Sequence, residues 1–128
     1  MKLLFDTHLL LWTVGNSPRL PKAAIKLIDD TENELFFSAM SLWEFAIKYQ
    51  LNRDALGVNP RLLRRSLLDN GYTELPITSE HAIAIDALPP IHKDPFDRLL
   101  VAQATVEGIT LLTADEVLSR YPGPIQKV

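Results

Sequence analysis

The feature that most restricts the fold is a series of short, unbroken apolar runs, each separated from the next by a segment of helical spacing. Lys2–Phe5, Glu34–Ser38 and Ile109–Thr113 read as buried strands, with a shorter one at Thr73–Leu75 that could reach Ile77. A strand with one face in water alternates apolar and polar residues. A run without alternation is covered on both faces, the condition of a parallel strand between helices. The predicted class is therefore α/β, with a central parallel sheet flanked by helices in three layers and any ligand at the carboxyl ends of the strands.

The intervals supply the helices. His8–Val14 ends at Gly15-Asn16, and Pro21–Asp30 turns Ala24, Ile25 and Ile28 inward. Ser41–Tyr49 has Leu42, Phe45 and Ala46 on one side, Pro60–Asn70 stops at Gly71, and Ser79–Ala87 is closed by Pro89-Pro90. The clearest helix opens at Asp94-Pro95-Phe96-Asp97: Asp94 is its cap, Pro95 its first residue, Leu100, Val101 and Ala104 its core face, and Gly108 its end. A short helix from Asp115 to Arg120 and an edge strand over Ile125–Val128 complete the chain. With 128 residues and neither linkers nor repeats, one domain spanning 1–128 is expected.

Composition limits the chemistry. No apolar run approaches the ~20 residues of a membrane span, and Leu9–Trp12 has neither the basic flank nor the cleavage site of a signal peptide. Without cysteine, a bound metal has only oxygen and imidazole ligands to draw on, which favours Mg²⁺ or Mn²⁺ on carboxylates. The net charge of −3 gives no general attraction for a polyanion, so a nucleic acid would need local basic patches.

Four acids stand out: Asp6 and Asp115, each directly after a predicted strand, Asp97 in the first turn of a helix, and Glu44. Converging carboxylates hold divalent ions while leaving positions open for water and phosphate. Each also has a structural explanation. Asp6 fits a helix cap, Asp97 complements a helix dipole, Asp115 suits a turn, and Ser41-Leu42-Trp43-Glu44 matches a capping box.

The ordered set Leu4-Phe5-Asp6-Thr7-His8, Ser41-Leu42-Trp43-Glu44, His92-Lys93-Asp94-Pro95-Phe96-Asp97-Arg98-Leu99-Leu100-Val101-Ala102-Gln103-Ala104 and Leu112-Thr113-Ala114-Asp115 resembles the PIN-domain family along essentially the whole chain, and within it the VapC-type toxins of toxin–antitoxin modules. The Asp-Pro-Phe-Asp-Arg-Leu-Leu stretch is the most specific part. The resemblance implies a PIN-like fold, a cytoplasmic endoribonuclease using Mg²⁺ or Mn²⁺, a homodimer, and an antitoxin partner that occludes the acidic cleft. It places Asp6, Glu44, Asp97 and Asp115 at the catalytic metal site, with Asp6 and Asp97 as direct ligands. Thr7 and Thr113 become supporting groups and, with Arg98 and Asp94, candidate substrate contacts. Asp94 is equally explained by capping.

The remaining signals are weaker. His8, His81 and His92 form no ligand spacing and are placed outside the metal shell, although His8 and His92 flank acidic motifs. Arg61, Arg64 and Arg65, with Lys48 and Arg53, offer either an RNA track or a solvated helix face. Trp12 and Trp43 are expected in the core or at a subunit contact. Two other functions compete: a phosphoacceptor domain using Asp6, which lacks a second carboxylate two residues on, and a catalytically silent PIN-like domain that binds RNA or protein.

Overall fold

The computed structural model describes residues 1–128, the side chains of Ala55 and Leu56 excepted. Five parallel strands, β1 (Lys2–Phe5), β2 (Glu34–Ser38), β3 (Thr73–Leu75), β4 (Thr110–Thr113) and β5 (Ile125–Lys127), form one sheet in the order β3-β2-β1-β4-β5. Every neighbouring pair is parallel, with Leu4 beside Phe36 on one side and Leu111 on the other. From β1 the chain steps outward to β2 and β3, then returns to β4 on the opposite flank. The carboxyl ends of β1 and β4 therefore bound the point where strand order reverses, where sheets of this kind leave a crevice.

The helices are α1 (Thr7–Val14), α2 (Lys22–Asp29), α3 (Ala39–Leu51), α4 (Arg53–Leu56), α5 (Pro60–Asp69), α6 (Ser79–Ala84) and α7 (Pro95–Glu107). Successive residues of a strand point to opposite faces, and each face has its own core. Leu3 and Phe5 pack with Leu9 and Leu10 of α1, Phe45 of α3, and Leu63 and Leu67 of α5. Leu4 packs on the other side with Met40 and with Leu100, Val101 and Ala104 of α7. These are the three layers the apolar runs implied. Among the described residues no helix is long and apolar enough to cross a membrane.

Several boundaries differ from the sequence expectation. Helix α3 begins at Ala39, because Ser38, the last residue of β2, caps it directly by accepting the Met40 amide at 3.0 Å. Ser41 and Glu44 thus lie inside the helix, and the capping-box explanation of Glu44 does not hold. The segment after Asp115 forms only a 3-10 turn at Leu118–Arg120, and Ser79–Ala87 divides into α6 and a 3-10 turn at Ile85–Ala87.

Candidate metal centre

Asp6 extends the sheet by one residue, its amide donating to Leu112 O of β4 at 3.1 Å, and its side chain then caps α1 by accepting the Leu9 amide on Oδ1 at 2.9 Å. Its Oδ2 accepts from Thr113 Oγ1 at 2.5 Å. The Thr113 hydroxyl in turn accepts the Asp115 amide at 3.0 Å, so one buried hydroxyl ties together the acids that follow two adjacent strands. Burial pushes the Asp6 carboxyl above its ordinary range, against the pull of its bonds to Thr113 and Leu9.

Glu44 comes from α3 and is buried. Its Oε1 accepts from Thr7 Oγ1 at 2.8 Å, and its Oε2 meets Lys48 Nζ at 2.9 Å. Thr7 also contacts Ser41 Oγ at 2.9 Å, which makes it an orienting group between α1 and α3. Thr7 and Thr113 are both buried with their hydroxyls engaged by acidic side chains. These bonds place each hydroxyl where it orients an acidic side chain.

Asp97 projects from the first turn of α7, its side chain 20% exposed. Burial pushes its carboxyl up to about 7, and the charges of Asp94, Glu44, Asp6 and Asp115 push the same way. All four principal acids therefore share one electrostatic neighbourhood, joined by Asp94. The Asp94 carboxylate also caps α7, accepting the Phe96 amide at 2.8 Å, so the capping expectation holds.

His92, which the sequence leaves outside the metal shell but beside an acidic motif, stands next to the acids. Its Nε2 lies 3.2 Å from Asp97 Oδ2 and 3.8 Å from Asp115 Oδ2. The signal available in the sequence was its place five residues before Asp97; the turn that folds it back is set by tertiary contacts.

Other candidates lie elsewhere. Arg98 points to the loop before α7: Nη1 donates to Pro89 O and Tyr121 Oη at 3.0 and 3.1 Å, and Nη2 to Ile85 O and Leu88 O at 3.4 and 3.5 Å. Both of its Nη groups thus bind the scaffold, which favours the structural alternative over the rim phosphate contact. Arg61, Arg64 and Arg65 line a separate hollow of about 560 Å³ on α5, where Arg64 pairs with Glu74. Trp43 is not a core residue; it is 56% exposed, edge-on to Phe96. His81 is fully buried and bonded to Glu107 and Thr78, a structural histidine.

The residues present fit a divalent cation. The carboxylates are hard oxygen donors, and beyond the effect of burial the charges of Asp94, Glu44, Asp6 and Asp115 all raise the Asp97 carboxyl, a gathering of negative charge that a cation would balance. An open depression of about 300 Å³ beside the acids, lined by Asp6, His8, Trp12, Arg19, Ala114 and Asp115, leaves room for a ligand.

The PIN domain family model matches residues 3–124. The chain belongs to the PIN domain family. Within that family it is 33% identical over 125 residues to Ribonuclease VapC22 of Mycobacterium tuberculosis, covering 95% of each chain. Solved structures with the same PIN fold include VapBC2 from Rickettsia felis bound to a promoter DNA fragment, at TM-score 0.72 and 14% identity. DNA-bound VapBC from Salmonella typhimurium matches at TM-score 0.69 and 17% identity; each alignment covers 99% of this chain and 98% of the other.

Proposed function

We propose that this PIN domain is a divalent-cation-dependent endoribonuclease, the toxin of a toxin–antitoxin pair, acting in the cytoplasm as one domain over 1–128. The observation that carries the proposal is the convergence of Asp6, Glu44, Asp97 and Asp115, from four separate stretches of chain, close enough that the other three add to the rise that burial imposes on the Asp97 carboxyl. Its 33% identity to a named ribonuclease along almost the whole chain points the same way. The antitoxin partner is supported by the VapBC complexes that share the fold, and a homodimer is part of the reading.

Asp6 and Asp97 would be the direct ligands of Mg²⁺ or Mn²⁺, with Asp115 and Glu44 completing the acidic set. Such an ion supplies Lewis acidity at the phosphodiester and a bound water of lowered pKa. The chain's own residues do the rest. Thr113 aims Asp6 and fixes the Asp115 backbone, while Thr7 and Lys48 hold the two oxygens of Glu44. Without a cation the carboxylates repel RNA, so the metal-free protein should bind substrate poorly.

The test is cleavage of an RNA pool with Mn²⁺, with EDTA, and with Asp97→Asn. Cleavage in the first case alone, leaving 5′ phosphate and 3′ hydroxyl ends, is the expected result. A 2′,3′-cyclic phosphate end would sink the hydrolytic reading, and RNA binding without cleavage would favour a silent domain.

A further inference from the structure

We propose that Trp12 and Arg19 form a nucleotide subsite beside the acidic centre, taking an unpaired base and its phosphate from the RNA strand on one side of the cleaved bond. The inference rests on the ribonuclease reading above and adds where the substrate lies.

The depression beside the acids does not end at Trp12. Trp12 and Arg19, which line it together with Asp6 and Asp115, also line a second hollow of about 650 Å³, whose other walls include Leu11, Val14, Phe45 and Val58. The two spaces meet at these two side chains and lead from carboxylates into an apolar recess, within the ~300–1,000 Å³ range of small-ligand sites. Helix α1 sets the order. Asp6 caps it, His8 lies in its first turn, and Trp12 follows four residues later on the same face, the His8 and Trp12 ring centroids 6.1 Å apart. The half-buried indole packs against the core and borders both hollows.

Beyond α1 the chain is wound back onto the turn that carries Trp12. The Ser17 amide donates to Trp12 O at 2.9 Å, and the Arg19 amide to Ser17 Oγ at 3.1 Å. Asn16 allows the reversal with a φ of 49°, in the left-handed region that asparagine enters more readily than most residues. Arg19 is thus tethered beside Trp12 by its backbone, while its exposed side chain has no carboxylate within ion-pair distance among the described residues. Charge and shape together select the occupant. A guanidinium matches a phosphate through parallel N–H bonds, and an indole face matches a base, which stacks on aromatic rings once it is unpaired. A base inside a duplex reaches such a recess only by leaving the stack. A protein segment could fill the recess, but a nucleoside is covalently attached to any phosphodiester at the acids, so the substrate itself carries a base to it.

Trp12 reports its own occupancy. The chain has two tryptophans, so in a Trp43→Phe background the fluorescence comes from Trp12 alone. With Mg²⁺ present, at least one of the four nucleoside 5′-monophosphates should quench it and ribose 5-phosphate should not, and Arg19→Gln should weaken that binding by about fivefold or more. On single-stranded RNA with Mn²⁺, Arg19→Gln and Trp12→Leu should each raise KM by about tenfold, with kcat and Mn²⁺ affinity near wild type. Arg19→Gln should also lower the slope of log KM against log salt by about 0.7, the share of one phosphate contact on a single strand, and Arg19→Lys should keep the wild-type slope. Arg19 is exposed, so its variants test the proposal even if Trp12→Leu fails to fold. No quenching by any of the four nucleotides, or an unchanged KM and salt slope in Arg19→Gln, overturns the proposal. Variants that cleave RNA as wild type does but no longer hold the antitoxin also overturn it, giving the recess to the protein partner. The fluorescence titration needs no cleavage, so a wild-type chain without nuclease activity would defeat the functional reading while leaving the subsite measurable.

Discussion

Asp97 shows how one side chain can work against the stability of its own fold. Its carboxyl is raised from 3.8 to about 7, first by burial and then by Asp94, Glu44, Asp6 and Asp115. Between those values the native state retains a proton that the unfolded chain has released. Stability from this group is therefore complete below about pH 4, declines as pH rises, and is lost above about pH 7. Asp97→Asn removes the penalty. In EDTA the variant should be more stable than wild type at pH 8, by an amount on the order of 1 kcal/mol, with the difference shrinking at pH 5. Urea denaturation at both pH values measures this. A variant less stable than wild type at pH 8 would contradict the account. Asp6 is raised in the same direction by burial but is held by Thr113 and Leu9, which makes it the better-anchored of the two proposed ligands.

Among the elements, α3 and α7 show two ways a helix start can serve a site. At α7 the cap and the acidic group are different residues: Asp94 caps, and Asp97, one turn in, faces the cluster. Asparagine caps about as well as aspartate, so Asp94→Asn should keep thermal stability near wild type, whereas Asp94→Ala should lose about 1 kcal/mol. If Asp94→Asn lost stability to the same degree as alanine, the carboxylate charge rather than the cap would be holding the helix start. At α3 the cap comes from the preceding strand. Ser38 closes β2, caps α3 and donates to Gln103 of α7, so the helix begins two residues before Ser41, and Glu44 turns toward Thr7 and α1. A local pattern of Ser followed three residues later by Glu carries no information about a serine already in use upstream.

At the scale of the molecule, the reversal of strand order between β1 and β4 gathers acids that are 109 positions apart in sequence, Asp6 and Asp115, around a single threonine hydroxyl. Their mutual repulsion is tolerated because two apolar cores, one on each sheet face, hold the strand ends in place. A cation bound only by the native state should relieve it. Mn²⁺ at a hundredfold excess over its dissociation constant should add about 2.7 kcal/mol and raise the melting temperature by roughly 10 °C, reversibly with EDTA and not in Asp97→Asn. An unchanged melting temperature in wild type would count against a cation site. Much of this was legible in the linear chain. The unbroken apolar runs determined a parallel sheet covered on both faces, because strands without alternation have no face to give to water. The order of the acidic motifs determined the family, and Asp-Pro-Phe-Asp determined the start of α7 through capping chemistry that depends only on neighbours. What the tertiary structure alone decided was how the acids are used. Whether Glu44 caps or faces the cluster, whether Arg98 reaches outward or braces Tyr121, and whether His92 stands among the acids all depend on partners far away in sequence. Such contacts leave no periodicity and no fixed spacing along the chain.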